Sequence, residues 1–192
     1  MNKRIEICGG IAAGKTSLAR ILEEDGYGVI YERFEDNPFL SKFYMEGEGD
    51  NTFETEMVFV LLHYNWIKCK KKQKRTVCDY SLFQDYCYAA NNLNAEEMVL
   101  FEKIYNYLTE KISRADLIIY LKCNVDCLLQ RIKDRNRKME QGISREYLQN
   151  NIDVIERNIF RQDHILIIES DKYNFIKNDK EFVLEMIKKQ CD

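Results

Sequence analysis

A glycine-rich segment between a short apolar run and an amphipathic stretch constrains the fold of this chain most strongly. Residues 9–16 read GGIAAGKT. Ile5 and Ile7 precede them in a strand-like run, and Leu18 and Leu22 follow at helical spacing. The glycines allow a tight turn that directs backbone N–H groups at phosphate oxygens, and the following helix adds its positive N-terminal end. The segment therefore predicts a strand, a phosphate-binding loop and a helix in succession.

The chemistry of this loop indicates a nucleotide. Lys15 is expected to reach the β- and γ-phosphates of ATP, and the Thr16 hydroxyl to ligate Mg²⁺. GTPases normally carry a guanine-reading Asn-Lys-x-Asp, which this sequence lacks, and ATPases of molecular machines are usually longer. A compact chain with arginines clustered late in the sequence suggests a kinase that closes a lid over ATP. The residues expected to hold ATP are consecutive: Gly9, Gly10, Ile11, Ala12, Ala13, Gly14, Lys15, Thr16 and Ser17.

Short apolar runs alternate with helical stretches along the 192 residues, which fit a single domain spanning 1–192. Helix starts are indicated by Asn37-Pro38, Asn94, Asn124 and Ser144. Strands separated by crossover helices predict an α/β fold with a largely parallel sheet. The candidate strands are Arg4–Cys8, Gly28–Glu32, Arg75–Asp79, Asp116–Leu121 and Ile165–Glu169.

Composition argues against several classes of partner. The formal net charge is −3, which disfavours a nucleic-acid polymer as ligand. No apolar window approaches the ~20 residues of a membrane span, and the N-terminus lacks the apolar stretch of a signal peptide. Seven cysteines, an odd number without a Cys-x-x-Cys pair, indicate reduced thiols. The expected location is the cytoplasm, with no membrane partner.

Four further segments make the assignment more specific. They read YERFEDNPFLSKFY (31–44), TFETEMVFVLLHY (52–64), VCDYSLFQDY (77–86) and RIKDRNRKMEQGISREYL (131–148). In this order and spacing the chain resembles the deoxynucleoside kinase family, especially its bacterial deoxyadenosine/deoxyguanosine kinase branch. The resemblance implies a P-loop three-layer fold, with a five-stranded parallel sheet flanked by helices and an arginine-bearing lid at about 131–143. It also implies a homodimer that transfers the γ-phosphoryl group of ATP to the 5′-hydroxyl of a deoxynucleoside.

The same resemblance proposes catalytic roles that suit the chemistry of the side chains. Glu32, at the end of the second strand, matches the general base, and Asp79, at the end of the third, matches an acidic residue near Mg²⁺. Arg131, Arg135 and Arg137 match lid arginines that stabilise a transferring phosphoryl group, with Lys15. From position alone, an exposed strand-end glutamate, a helix-capping aspartate and a charged helix face remain alternatives.

Acceptor recognition is where the sequence departs from the family. Tyr44 and Glu140 match the pair that holds the sugar 3′-hydroxyl. The base-reading glutamine corresponds to Glu56, or to Glu54 if the register slips. A carboxylate only accepts hydrogen bonds, so Glu56 suits the two adjacent donors of guanine.

Two further positions near the base and phosphates also differ. His63 stands for the family's arginine beside the base, and Asp85 is a base-side acid that either pairs with His63 or forms a surface ion pair. The family's acidic-Arg-Ser motif reads Asp79-Tyr80-Ser81 here, so the charge of that arginine is missing unless another residue supplies it.

Two other functions compete with a deoxynucleoside kinase. A thymidylate-like nucleoside monophosphate kinase would need more basic residues for the acceptor phosphate than Arg33 and Lys42, which besides His63 are the basic residues between 32 and 64. A divergent nucleotide-binding protein without catalysis would explain Tyr80 and Glu56, but Lys15 and the three arginines argue against it.

Overall fold

The fold is organised around a five-stranded sheet. The computed structural model describes residues 3–46, 51–70, 74–175 and 178–191. The strands are β1 (Lys3–Gly9), β2 (Gly28–Ile30), β3 (Arg75–Cys78), β4 (Leu117–Lys122) and β5 (Ile165–Glu169). All neighbours pair in parallel in the order β2-β3-β1-β4-β5. The predicted α/β fold with a five-stranded parallel sheet is confirmed.

Helices connect the strands and cover both faces of the sheet. Within the described ranges they are α1 (Lys15–Glu24), α2 (Leu40–Glu46), α3 (Thr52–Cys69), α4 (Leu82–Asn92), α5 (Ala95–Thr109), α6 (Val125–Arg135), α7 (Arg145–Ile159) and α8 (Lys180–Cys191). Short 3₁₀ turns form at Phe34–Asp36 and Lys138–Glu140. In the part of the chain that the structure describes, no helix has the length and apolar character needed to cross a bilayer.

The alternation of side chains along β1 explains the three layers. Ile5 and Ile7 are buried in a cluster that includes residues of α1 and α8, such as Leu18 and Ile187. Cys8, on the other face, is buried in a second cluster with residues of α4 and α7. Strands of a parallel sheet that is covered on both sides are apolar on both faces, as these are.

Three of the four predicted helix starts are confirmed. Asn94 forms a capping box with Glu97, and the side chains of Asn124 and Ser144 accept hydrogen bonds from the first turns of α6 and α7. The fourth start, at Asn37-Pro38, is wrong, because α2 begins at Leu40. Asn37 is buried, accepts from the Phe39 N–H at 3.1 Å and donates to the Thr55 carbonyl at 3.0 Å, so it anchors a turn instead.

The strand ends differ from the predicted ones where the site begins. β2 ends at Ile30 and β3 at Cys78, so Glu32 and Asp79 follow their strands rather than close them. The last interstrand bond runs from the Asp79 N–H to the Ile30 carbonyl at 3.2 Å. Both carboxylates are thus carried at the carboxyl edge of the sheet, where ligands bind in open α/β sheets.

A buried glutamate on β1 fixes the start of α4. Glu6 is 3% exposed, and its Oε2 accepts hydrogen bonds from the Ser81 hydroxyl and the Leu82 N–H, both at 3.1 Å. Its Oε1 pairs with the Arg4 guanidinium at 3.0 Å. Two residues into α4, Gln84 Oε1 accepts from the Gly9 N–H at 2.8 Å. The helix that carries Asp85 is therefore fastened to the strand that leads into the phosphate loop.

Candidate active site

One cavity of about 900 Å³ joins most of the residues that the sequence singled out. It lies at the carboxyl edge of the sheet, and its size suits a small ligand, for which pockets of about 300–1,000 Å³ are typical. Gly9, Gly10 and His63 are not among the residues that line it. The singled-out residues that line it are Ile11, Ala12, Ala13, Gly14, Lys15, Thr16, Ser17, Glu32, Tyr44, Glu56, Asp79, Asp85, Arg131, Arg135, Arg137 and Glu140.

The glycine-rich segment has the backbone shape of a phosphate loop. Ala12 and Gly14 have φ values of 65° and 105°, and the Ala13 N–H donates to the Gly10 carbonyl at 3.1 Å. Gly14 is the N-cap of α1, and its lack of a side chain leaves the first-turn N–H groups open to an anion. The Lys15 Nζ donates to the Gly9 and Gly10 carbonyls at 2.7 and 3.1 Å. The loop thus places an ammonium group and open N–H groups at one end of the cavity.

Glu32, Asp79 and Thr16 form an oxygen-rich group beside Lys15. The Glu32 N–H donates to Asp79 Oδ1 at 2.5 Å, and the Thr16 hydroxyl is hydrogen-bonded to the same carboxylate. Burial would raise the pKa of Glu32, but His63 and then Lys15 and Arg137 outweigh it and lower the pKa. Burial raises the pKa of Asp79, a rise that the hydrogen bonds from Glu32 and Thr16 reduce. Glu32 is therefore held as a carboxylate.

The three lid arginines divide into two groups. Arg131 donates to the Ala13 carbonyl at 3.1 Å and to the Ser170 carbonyl at 2.5 Å, so it ties the phosphate loop to the segment after β5. Asn136 ends α6 in the left-handed conformation and turns the chain away from the helix. Arg131 thus remains on the helix beside the loop carbonyls, while the other two arginines project from its end.

Arg135 and Arg137 share a carboxylate that was expected to bind sugar. Both oxygens of Glu140 accept from Arg135 at 2.6 Å, and Oε1 also lies 3.4 Å from Arg137. Glu140 is 6% exposed, and its neighbour Gly142 packs so closely on α2 that an added Cβ would lie 2.9 Å from the Tyr44 carbonyl. The segment around Glu140 and the helix that carries Tyr44 are therefore in contact beside the cavity.

Glu56 lies at the far end of the cavity in a nearly closed environment. Its Oε1 accepts from the Asn92 amide of α4 at 2.7 Å, and the same amide lies 3.4 Å from the Tyr147 hydroxyl of α7. Burial, with a smaller contribution from Asp85, raises the pKa of Glu56 to about 8, although Asn92 and His63 lower it. At pH 7 the main form is therefore the carboxylic acid, which donates one hydrogen bond as well as accepting. The carboxylate form of Glu56, which only accepts hydrogen bonds as the sequence predicted, is the main form above about pH 8.

His63 pairs with Asp85, as one of the two interpretations of the sequence predicted. The imidazole Nδ1 lies 2.9 and 2.8 Å from the two Asp85 oxygens, and the histidine is 2% exposed. The pair is therefore buried and not a surface ion pair. The other ring nitrogen, Nε2, lies 3.3 Å from Glu32 Oε1. A link between Asp85 and Glu32 through one imidazole was not apparent from the sequence.

Several cavity residues were missed by sequence reasoning. Gln84 and Tyr88 line the cavity beside Asp85 on α4, and Asn92, which donates to Glu56, follows one turn later; periodicity could have revealed this spacing of three to four residues. Phe59 stands three residues after Glu56 on α3 by the same rule. The segment after β5 has no regular period, so periodicity does not indicate it; only the family resemblance, which continues weakly over residues 165–175, pointed to a strand and a loop near ATP there. Its lining residues are Ser170, Asp171, Lys172, Tyr173, Asn174 and Phe175.

Comparisons with known proteins agree on one family. A family model described as deoxynucleoside kinase matches residues 5–192. A deoxyguanosine kinase of Bacillus subtilis is 32% identical over 190 residues, which cover 93% of this chain and 91% of that protein. A deoxyadenosine kinase of Dictyostelium discoideum is 30% identical, over 98% of this chain and 79% of that protein.

A solved structure shows a similar fold. The structure of deoxyadenosine kinase from M. mycoides with bound dCTP superposes with a TM-score of 0.81 at 21% identity, and the match covers 97% of this chain and 99% of that one. At this identity the likeness concerns the fold, and it agrees with the sheet order and helix layers described above.

Proposed function

The chain belongs to the deoxynucleoside kinase family, and from this premise we propose that it phosphorylates the 5′-hydroxyl of purine deoxynucleosides with Mg–ATP. Members of this family are ATP-dependent phosphotransferases that act on a hydroxyl group. The observation that supports the proposal best is the shared cavity, with phosphate-binding groups at one end and a buried carboxyl group at the other. Such a cavity holds both substrates of a phosphoryl transfer in line.

Glu32 is the proposed general base. Its carboxylate lies beside Lys15 at the junction of the two ends, and its lowered pKa keeps it ionised at neutral pH. An ionised carboxylate accepts the proton of the 5′-hydroxyl as that oxygen attacks the γ-phosphorus of ATP. The backbone N–H of the same residue is held by Asp79, so the position of the base is fixed by the group proposed to face the metal.

Lys15 and the three lid arginines are the proposed stabilisers of the transferred group. All four side chains line the cavity, and Lys15 and Arg137 both lie near enough to Glu32 to lower its pKa. Charge on the equatorial oxygens of a phosphoryl group is stabilised by donors that are fixed before the reaction. Arg131 already lies against the loop carbonyls, while Arg135 and Arg137 would exchange part of their bonding with Glu140 for phosphate oxygens.

The oxygen ligands of the loop suit Mg²⁺. Among the described residues, no group of three or more His, Cys, Asp or Glu side chains could hold a metal ion. Thr16 and Asp79 nevertheless place a hydroxyl and a carboxylate together. Mg²⁺ typically binds through one or two protein oxygens together with substrate phosphates and water, so the residues fit. When bound with ATP, the ion neutralises charge on the β- and γ-phosphates.

The sugar and base are proposed to lie between α2, α3 and α4. Tyr44 and Glu140 line that part of the cavity, and burial raises the pKa of Tyr44 well above its usual value, so its hydroxyl remains a donor. The carboxylate of Glu140 has lone pairs beyond those used by Arg135, and these are open to the 3′-hydroxyl. Glu56 and Asp85 are then the groups left to read the base.

A panel of acceptors tests this function. With Mg–ATP, we expect deoxyguanosine and deoxyadenosine to give monophosphates at least about tenfold more efficiently than deoxycytidine or thymidine, because the relatives similar to this chain include kinases of those two nucleosides. We expect no diphosphate from dGMP or dAMP. Product from monophosphates alone would instead identify a thymidylate-like kinase, and ATP binding without any product would identify a non-catalytic protein. Preference for a pyrimidine nucleoside would refute the assignment of the base.

The protonation state of Glu56 is expected to set the choice between the two purines. The carboxylic acid offers a donor and an acceptor, which matches adenine, whereas the carboxylate matches the N1–H and N2–H donors of guanine. Because the pKa of Glu56 is raised to about 8, the carboxylate fraction increases as the pH rises through that value. The ratio of kcat/KM for deoxyguanosine to that for deoxyadenosine should therefore rise with pH, by up to about tenfold per unit near pH 8.

A matched pair of variants controls this measurement. Glu56→Gln should remove the pH dependence of the ratio, because an amide does not titrate. Glu54→Gln makes the same change at an exposed position of the same helix, and the pH dependence of the ratio should remain in that variant. A ratio that stays constant with pH in the unaltered protein would contradict the role of Glu56. Taking the ratio cancels other ionisations that affect both nucleosides equally.

A homodimer and a cytoplasmic location complete the proposal. On α5 the apolar side chains of Val99, Leu100, Ile104 and Tyr107 are all exposed, which suits a helix that packs on a second copy. A sedimentation mass equal to the monomer's 22.9 kDa would contradict the dimer. The seven cysteines are free thiols, as expected in a reducing compartment.

A further inference from the structure

A buried imidazole stands between two carboxylates at the centre of the molecule. His63 Nδ1 lies 2.8 Å from Asp85 Oδ2, and His63 Nε2 lies 3.3 Å from Glu32 Oε1. Asp85 belongs to α4, Glu32 to the segment after β2, and His63 to α3, so the contact joins three separate parts of the fold. His63 does not line the cavity among the described residues, whereas both carboxylates do. The histidine thus reaches substrate only through them.

A carboxylate beside each ring nitrogen favours the charged form of His63. A neutral imidazole has one N–H and one lone pair, so one of its nitrogens would direct a lone pair at a carboxylate oxygen. Only the doubly protonated ring presents a hydrogen to both acids. Burial would lower the pKa of His63, but Asp85 and Glu32 outweigh it and raise the pKa to about 10. Two further carboxyl groups act on the pair, Glu56, two turns earlier on α3, and Glu6 on β1.

Aromatic rings hold the imidazole in one plane. The Tyr80 ring stacks on it with centroids 4.0 Å apart and an interplanar angle of 15°. Phe59 and Trp66 lie 5.6 and 5.5 Å from it on other sides. The Tyr80 hydroxyl donates to the His63 carbonyl at 3.4 Å, so it faces α3 rather than the phosphate loop. A stacked tyrosine also favours a cationic ring through its π-face.

The contact with Glu32 leaves that carboxylate available for substrate. Within the described residues, Nε2 has no acceptor in hydrogen-bond alignment, although Glu32 Oε1 lies at ion-pair distance. The attraction between the two groups is therefore mainly that of opposite charges in a buried place. Such an attraction orients the carboxylate without occupying its lone pairs fully, so a hydroxyl group on the cavity side can still be bound.

We propose that His63 is a positioning residue, an imidazolium anchored by Asp85 that orients the Glu32 carboxylate and supplies positive charge beside it. Tyr80 contributes the surface on which the ring rests and no charge of its own. The acid-Tyr-Ser sequence at 79–81 therefore does not leave the base without a cation, because α3 provides one from the other side. This inference rests on the proposed role of Glu32 as general base.

The charge of His63 can be measured directly in the intact protein. At pH 8, nitrogen-15 NMR of the imidazole should show two protonated nitrogens for His63. His164 is the other histidine of the chain and is exposed, and His164→Asn assigns its signals, since asparagine tolerates the φ of 55° there. Asp85→Asn should convert His63 to the neutral form. A neutral His63 in the unaltered protein at pH 8 would overturn the inference.

A double-mutant cycle separates positioning from general structural support. His63→Gln should lower kcat about 10- to 100-fold, the range typical of residues that orient a directly acting group, with the KM for ATP nearly unchanged. In a Glu32→Gln background the same substitution should have little further effect, because its action passes through Glu32. Equal losses in both backgrounds, or no loss in the unaltered background, would refute the inference.

The cycle also distinguishes this inference from the role of Glu32 itself. If Glu32→Gln alone leaves kcat unchanged, the assignment of Glu32 as general base is wrong, and the inference that rests on it fails regardless of the effect of His63→Gln. If Glu32→Gln inactivates and His63→Gln does not, the base stands and the positioning role fails. Thermal unfolding of each variant identifies any loss of folded protein, and His63→Arg, which keeps a planar cation able to stack on Tyr80, should recover part of kcat.

Discussion

Replacement of Glu32 by glutamine is expected to lower kcat by about 10²- to 10⁴-fold, because an amide cannot accept the proton of the attacking hydroxyl. The side chain lines the cavity, and the backbone N–H of Glu32 donates to Asp79 Oδ1 at 2.5 Å. Binding of ATP should change little, since the loop from Gly9 to Ser17 is intact in the variant. The measurement is kcat with both substrates saturating, together with ATP affinity by calorimetry.

The matched control for this variant is Asp36→Asn. It makes the same change from acid to amide four residues later, at an exposed position that pairs with Arg33 at 3.2 Å. This control should retain full activity, because a surface ion pair contributes little. A kcat for Glu32→Gln within about tenfold of the unaltered protein would fall below the range of general-base catalysis and would rule out the assigned base.

Replacement of Lys15 by methionine is expected to reduce kcat/KM for ATP by about 10³-fold or more, because a fixed cation at the transferred phosphoryl group is lost. Burial lowers the pKa of Lys15, while Glu32 opposes that shift and favours the ammonium form. The Lys15 Nζ donates to the Gly9 and Gly10 carbonyls. Methionine keeps the length of the side chain but has no charge and no donor, so those carbonyls lose a partner and ATP loses a contact.

The control for the lysine variant is Lys133→Met. Lys133 is exposed on α6, two residues from both Arg131 and Arg135, and has no role in the proposed site. Its loss should leave both kcat and the affinity for ATP unchanged. Steady-state kinetics and direct ATP binding distinguish the two variants. If Lys15→Met binds and turns over ATP within about fivefold of the unaltered protein, the loop does not act as the electrostatic clamp proposed here.

The sequence was a good guide wherever the signal was local. The phosphate loop, the five strands and the caps at Asn94, Asn124 and Ser144 depend on residues within a few positions of one another, and all are confirmed. Asn37 was misjudged because its amide serves the Thr55 carbonyl, eighteen residues away, and not the next helix. At a position such as Asn37, the local preference for capping a helix competes with a partner that is distant in the chain. Only the local preference can be recognised from the sequence.

The charges of the site could not be predicted, because they depend on burial. Glutamate is usually found on the surface, yet burial of Glu56 raises its pKa to about 8. Its carboxyl group then both donates and accepts hydrogen bonds, where the sequence predicted only an acceptor. From the sequence, Tyr80 indicated that a positive charge was missing from the site. The sequence does not show that Tyr80 stacks on His63, because the two residues are seventeen positions apart in the chain. The sequence placed His63 beside the nucleobase of the substrate. Its contact with Glu32 depends on how α3 packs beside the end of β2.

The bonds from Glu6 and Gln84 to the start of α4 and to Gly9 also affect how the protein opens. Detaching α4 would leave the Glu6 carboxylate buried with fewer partners and would free the Gly9 N–H at the entrance to the phosphate loop. We therefore expect local unfolding of α4 and loss of the phosphate loop to be one cooperative event. A partly unfolded form that keeps one substrate site and loses the other should be too high in free energy to be populated. The two sites should therefore form and unfold together.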